Sequence, residues 1–207
     1  PLGVDLDVFD PRHLDPNLGA RWSDGTSALI AHCGRLSVEK RADRSIAALG
    51  RLHRSGTPAH LVIAGDGPEA ERIRAAAAQA GIADRLLLPG FLAHPARYVG
   101  LFDLFALSSD SEQFPVSLVE AMAAGLPVAA TRVGDVAQIV APENLPLLVP
   151  PGDRAALASA LAALLIDPER RGQLGAANQR RVQAEFSAAA MAERYRALYD
   201  QAMAVRG

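Results

Sequence analysis

A chain of 207 residues, half of them hydrophobic and 5% aromatic, is long enough for one domain with a sizeable core of Ala, Val, Leu and Ile. Its net charge of −2 gives no reason to expect nucleic acid as a partner. The single cysteine, Cys33, excludes an internal disulfide and a thiolate metal cluster and suits a reducing, cytoplasmic compartment.

In chain order, Ala28 to Cys33 reads as a buried strand and Lys40 to Arg54 as a helix closed by Ser55-Gly56. His60 to Ala64 is a second strand, and Gly65-Asp66-Gly67-Pro68 is turn chemistry opening a helix from Pro68 to Ala80, stopped by Gly81. Arg85 to Leu88 is a short strand, Pro95 to Leu101 a short helix and Leu104 to Leu107 a strand. A carboxylate-bearing loop and its helix follow, then strands at Leu126 to Thr131 and Leu147 to Val149. Helices fill Arg154 to Ile166, Glu169 to Glu185 and Ala188 to Met203. Short apolar runs separated by helices predict a doubly wound, Rossmann-like α/β domain with a parallel sheet covered on both faces. The longest near-continuous apolar stretch, Ala155 to Ile166, is too short to span a bilayer, and no signal peptide is visible. The first residue is Pro rather than Met, so the sequence reads as a piece of a longer chain.

In such sheets ligands bind beyond the carboxyl ends of the strands. The unusual residues fall there: Gly34-Arg35, Gly65-Asp66-Gly67, Gly90-Phe91 and Ser108 to Glu112. Between Gly34 and Lys40 two cations flank a tight loop, and Lys40, the one lysine beside twenty arginines, is expected to start the next helix. Two cations and a helix N-terminus converging on one point describe a diphosphate site. On spacing alone a solvated basic loop fits equally well.

Glu112 lies in the loop ahead of a helix and Glu120 inside it, about a turn past its start. Acceptor-only carboxylates suit the donor hydroxyls of a sugar, and helix-end amides suit an anion; a nucleotide sugar has both parts. A capping role for Glu112 and an exposed helix acid at Glu120 are the alternatives. Asp5-Leu6-Asp7 has the form of a metal-binding acidic pair, but the pattern is common and lies away from the strand ends. No His pair stands at metal-ligand spacing. His32 and Cys33 read as buried strand neighbours, and His94, without a partner, receives no catalytic role.

The run Glu112 to Val128 resembles the retaining glycosyltransferases of family 4, whose signature is two Glu with seven residues between them, here Glu112 and Glu120. The following Glu-Ala-Met-Ala-x-Gly-x-Pro-Val, the Gly34-Arg35 and Lys40 set, Gly65-Asp66-Gly67-Pro68, Gly90-Phe91 and Val149-Pro150-Pro151-Gly152-Asp153 occur in the family's order. The resemblance covers essentially the whole chain. It implies the C-terminal, donor-binding half of a two-domain GT-B enzyme. Residues 1–20 would lead in from an acceptor-binding N-terminal domain absent from this chain, and residues 187–207 would form a C-terminal helix returning to it.

Residue by residue, the resemblance makes Glu120 the ribose ligand and places Glu112 on hydroxyls of the transferred sugar. Arg35 and Lys40 would neutralise the departing diphosphate, so no cofactor or metal is expected. Amides of Gln113, Phe114 and Val116 would face sugar and phosphate, and Gly90-Phe91 would line the base pocket. Pro115 replaces a glycine common in the family and cannot donate a backbone hydrogen bond. Arg41 stands where Gly often follows the lysine, and Gln138 replaces a common acid. The implied partners are a nucleotide sugar and an acceptor glycan, lipid or small molecule held by the missing domain, with peripheral membrane contact if the acceptor is a lipid. The implied reaction is sugar transfer with retention of configuration. A sugar-nucleotide epimerase of the same plan and a non-catalytic nucleotide-binding module are the alternatives.

Overall fold

The computed structural model describes residues 3–204; residues 1–2 of the lead-in and 205–207 of the C-terminal segment lie outside the described residues. Six apolar runs form one sheet: β1 (Ala28–Cys33), β2 (Ala59–Ala64), β3 (Leu86–Gly90), β4 (Leu104–Leu107), β5 (Val128–Thr131) and β6 (Leu148–Val149). Their order is β3-β2-β1-β4-β5-β6, and every neighbouring pair is parallel. The chain thus winds outward from β1 in one direction and outward from β4 in the other. The order reverses between β1 and β4, and at such a reversal the loops leaving the two strands diverge and open a crevice.

Alternate residues of each strand serve opposite faces, as the two-residue period of a strand requires. Leu29, Ala31, Val62, Phe105 and Leu107 join one apolar cluster with Leu118, Val119 and Met122 of α4 (Val116–Ala123). Ile30, Leu61, Ile63, Leu104 and Ala106 join the other. That second face is covered by α2 (Ala42–Arg54), α3 (Ala70–Gln79) and α6 (Arg154–Leu165). The long α7 (Pro168–Glu185) contributes Val182 to the first cluster and Leu174 to the second. Two short helices, α1 (Pro16–Trp22) and α5 (Val136–Ile139), and the terminal α8 (Ala188–Ala204) complete the set.

The expected doubly wound parallel sheet is therefore observed, with four local differences. The helix expected from Lys40 begins at Ala42, because Val38–Lys40 form a 3-10 turn and Arg41 adopts a left-handed conformation. Pro95 to Leu101 splits into two 3-10 turns at Tyr98. The strand expected from Leu126 starts at Val128, because the Gly125 and Leu126 amides turn back to close α4 on the carbonyls of Met122 and Ala121. Neither α1 nor the short α5 is among the expected elements, although Asp15 caps α1 and Pro16 opens it, a standard start signal.

No helix among the described residues is long and apolar enough to cross a membrane. At the lead-in, Val4 pairs in parallel with Ser187, joining the first described residues to the start of α8.

Candidate functional site

Three strand ends meet through glycine. The Gly34 amide donates to the Ala64 carbonyl at 3.0 Å, and the Gly65 amide donates to the Gly90 carbonyl at 2.9 Å. A Cβ on Gly65 would lie 1.8 Å from the Gly34 carbonyl oxygen, so these backbones come closer than any side chain permits. Over them lies a cavity of about 580 Å³ lined by Cys33, Gly34, Arg35, Gly65, Asp66, Phe91, His94, Tyr98, Ser117 and Glu120, among others.

Ser117 and Glu120 are three residues apart on α4 and so share its cavity face. Burial pushes the Glu120 carboxyl up to about 7, and no cation offsets it. The Cys33 thiol is pushed up to about 12 by burial and, secondarily, by Glu120. The Tyr98 phenol is raised by burial, then by Cys33 and Glu120. At neutral pH the thiol and the phenol therefore keep their protons, so this wall sets groups that can donate or accept around one carboxyl. Arg35 supplies positive charge to the same cavity from an exposed position.

Lys40 and Glu112 do not line that cavity. They face each other on the two flanking loops, the Lys40 Nζ donating to Glu112 Oε1 at 2.7 Å and Oε2 at 2.9 Å. Ser109 Oγ donates to Glu112 Oε1 at 2.7 Å. Arg35 and Glu120 thus share the cavity, while Lys40 and Glu112 form an ion pair beside it. Lys40 ends the 3-10 turn before α2, two residues ahead of the helix N-terminus, rather than opening the helix itself.

The remaining expected residues divide similarly. Phe91 is exposed on the cavity wall, whereas Gly90 serves the strand end as the acceptor of Gly65. Phe114 packs its ring 5.7 Å from that of Phe186. Pro115 is buried and caps α4 with extended backbone. The Gln113 carbonyl accepts from the Asp135 amide at 3.1 Å, and Val116 is exposed at the start of α4. None of these four side chains lines the cavity, so any part they play in ligand contact falls to their backbone. The isolated sequence reading missed Tyr98 and Ser117 and gave His94 no role; the one signal for His94 was its place before Pro95.

His32 is buried, its Nδ1 3.2 Å from Ser45 Oγ, and burial, then Lys40, lowers its pKa to about 4. The Asp5 carboxylate accepts from the Asp7 amide at 3.2 Å, and among the described residues no cluster of three or more His, Cys, Asp or Glu could hold a metal ion. A second hollow, about 730 Å³, lies between α2 and α3. Its charged rim is already paired, Arg41 and Arg154 both engaging Asp43, which leaves the strand-end cavity as the site with uncommitted charge.

The profile of the family described as "Glycosyl transferases group 1" matches residues 20–181. The chain is 37% identical over 150 residues to the GDP-mannose-dependent alpha-(1-6)-phosphatidylinositol dimannoside mannosyltransferase of Mycobacterium tuberculosis, a match covering 70% of this chain and 38% of that protein. It is 37% identical over 153 residues to the 2-deoxystreptamine N-acetyl-D-glucosaminyltransferase of Streptomyces fradiae, covering 72% of this chain and 36% of that one. The matches to these curated relatives thus span well under half of their length. Among solved structures, Anabaena Alr3699/HepE in complex with UDP superposes with a TM-score of 0.86 at 22% identity, over 96% of this chain and 56% of that one. The fold is the Rossmann-like half of the GT-B architecture, and the chain belongs to the glycosyl transferases of group 1.

Proposed function

We propose that this chain is the donor-binding half of a glycosyltransferase and takes a nucleoside diphosphate sugar in the strand-end cavity. The observation that carries the reading is Glu120, a carboxyl held inside the cavity wall without a cationic partner. Such a group is costly to bury and is offset when ribose hydroxyls donate to it. Arg35, at the mouth of the same cavity, then meets the diphosphate, and Lys40 retains one of its three N–H donors for it. Phe91, Leu92 and Ala93 leave an apolar wall for the base.

Breaking the glycosyl–phosphate bond leaves charge on the diphosphate. Cations fixed in advance stabilise that charge more in the transition state than in the ground state. Arg35 and Lys40 take that part without a resident metal ion, and transfer proceeds with retention. The curated relatives are named as mannosyl and N-acetylglucosaminyl transferases, and the solved neighbour holds UDP; these names support a nucleotide sugar and leave base and sugar open. The acceptor belongs to a preceding half of the protein. Val4 pairs with Ser187 at the start of α8, and α8 leaves Tyr195, Leu198, Tyr199 and Met203 exposed.

Thermal-shift measurements against UDP-, GDP- and ADP-sugars test this reading, since a ligand at a hundred times its Kd adds about 2.7 kcal/mol of stability. One class is expected to stabilise the chain, with EDTA making no difference. No shift with any of the three overturns the donor reading; a shift abolished by EDTA overturns its metal-independent part.

A further inference from the structure

Arg41 occupies a conformation that side chains rarely enter. Among the described residues it and His94 are the two non-glycines at positive φ, and Arg41 has φ 50 and ψ 43. The left-handed region favours glycine, so the surrounding structure must hold Arg41 there. Its guanidinium does so from two sides. Nε and Nη2 donate to the Asp43 carboxylate at 2.9 and 3.0 Å, and Nη1 donates to Asp110 Oδ2 at 3.1 Å. Asp43 opens α2, and Asp110 lies on the loop that carries Glu112.

The backbone is fastened along the same line. Ser108 Oγ lies 3.2 Å from the Lys40 carbonyl and 2.8 Å from the Arg41 carbonyl, and the Asp110 amide donates to the Glu39 carbonyl at 2.8 Å. Arg44, almost fully buried, donates to the Ser108 carbonyl at 3.1 Å and pairs with the second Asp110 oxygen at 2.6 Å. The turn bearing Lys40 and the loop bearing Glu112 are therefore clamped together at several points, and Arg41 bridges them through its side chain while supplying the reversal that aims Lys40.

We infer that Arg41 is a positioning residue: bridging Asp43 and Asp110, it sets the spacing between the Lys40 turn and the Glu112 loop and so presents the Lys40 ammonium to the diphosphate. This rests on the proposed donor reading for the ligand, but not for the geometry, and the two are tested separately.

Lys40 is the sole lysine in the sequence, so reductive ¹³C-methylation gives one lysine side-chain NMR signal that reports on the Lys40–Glu112 pair without any ligand. Arg41→Gly keeps the left-handed backbone open to the chain and removes the bridge. It is expected to move that signal toward the position of a free methylated lysine or broaden it. In calorimetry it is expected to weaken UDP or GDP, whichever the wild type binds, by five- to twentyfold, while the matching nucleoside changes by less than twofold. Arg41→Lys, which can keep one contact, should recover part of both effects. An unmoved signal in Arg41→Gly overturns the inference, as does equal loss for nucleotide and nucleoside. If the wild type binds neither nucleotide but the signal moves as expected, the donor reading fails and the positioning geometry stands.

Discussion

The Lys40 ammonium reaches both oxygens of the Glu112 carboxylate, at 2.7 and 2.9 Å, and the acid is the more buried partner, 7% exposed against 27%. The two residues come from loops after β1 and β4, the strands between which the sheet order reverses. The pair thus pins the crevice walls together while leaving Lys40 partly open to solvent. A carboxylate in this position depends on its cation, because removing one partner of a shielded pair leaves an uncompensated charge.

Lys40→Met is accordingly expected to cost about 1–3 kcal/mol of stability, and Glu112→Gln less, since the amide still accepts from Lys40 and Ser109. The double variant Lys40→Met/Glu112→Gln, which removes both charges, should be more stable than the sum of its singles predicts. Urea unfolding of all four proteins decides this. Strict additivity would mean that the pair has no energetic coupling.

Glu120 makes a pH-dependent prediction whose sign is fixed by its environment. Its pKa is raised from 4.5 to about 7 by burial, so the native state holds the proton more tightly than the unfolded chain. The stabilising contribution of this group is full below the unfolded value and is lost as pH rises through about 7. Nucleotide affinity should run the other way. The ionised carboxylate accepts hydroxyl hydrogen bonds more strongly, so affinity should rise between pH 5.5 and 8 and then level off. Glu120→Gln should flatten both curves, and Glu120→Ala should weaken nucleotide binding by roughly ten- to a hundredfold. Calorimetry across that pH range checks the claim; a Gln variant that keeps the wild-type slope assigns the slope to another group.

The fold was readable because the six apolar runs carry their own punctuation. Gly34, Gly65 and Gly90 each end a strand, and alternate residues of those strands divide between the two buried faces. Arg35 was readable because it sits just beyond such a run, and Glu120 because seven residues separate it from Glu112 and it heads Glu-Ala-Met-Ala-x-Gly-x-Pro-Val. Tyr98 and Ser117 were not, since their meeting with Glu120 depends on how a 3-10 turn before β4 and a helix after it lie over the sheet. Local sequence carries no trace of that distance. The start of α2 was misplaced for a related reason. Helix periodicity continues through Lys40, but the left-handed Arg41 interrupts it, and Arg41 is held there by Asp43 close by and by an aspartate 69 positions away, Asp110.

Two buried asparagines make a stability prediction independent of any ligand. Asn144 and Asn178 are 0% exposed. Asn144 Oδ1 accepts from the Val128 amide at 3.0 Å and its Nδ2 donates to the Val128 carbonyl at 2.8 Å, so one side chain completes the opening of β5 where β6 is only two residues long. Asn178 Nδ2 donates to Asn144 Oδ1 and to the Leu126 carbonyl, both at 3.0 Å. Asn144→Ala would orphan two backbone groups at once. At about 1–3 kcal/mol for each buried group left unsatisfied, the expected loss is about 2–6 kcal/mol, read as a lower urea midpoint with an unchanged slope. A loss below 1 kcal/mol would mean that water reaches Val128 and replaces the side chain.

Gly134 tests whether the Glu112 loop is held from behind. Its φ is 48, and a Cβ built there would lie 1.9 Å from the Glu112 carbonyl oxygen and 2.7 Å from its carbon. The next amide, of Asp135, donates to the Gln113 carbonyl at 3.1 Å, so the segment after β5 and the loop after β4 lie backbone against backbone. Gly134→Ala cannot be accommodated by turning a flexible side chain, because the obstacle is main chain. The Glu112 loop must move, and with it the carboxylate that Lys40 holds. The expected result is a stability loss of about 1–3 kcal/mol and, in methyl-labelled Lys40, an altered side-chain signal. Gly125→Ala serves as the comparison. It has a similarly positive φ, 78, but its nearest neighbours are Gln179 side-chain atoms at 3.9 and 4.0 Å. It should lose stability through backbone strain and leave the Lys40 signal in place. If both variants shift that signal alike, general loosening rather than displacement of the Glu112 loop is the cause.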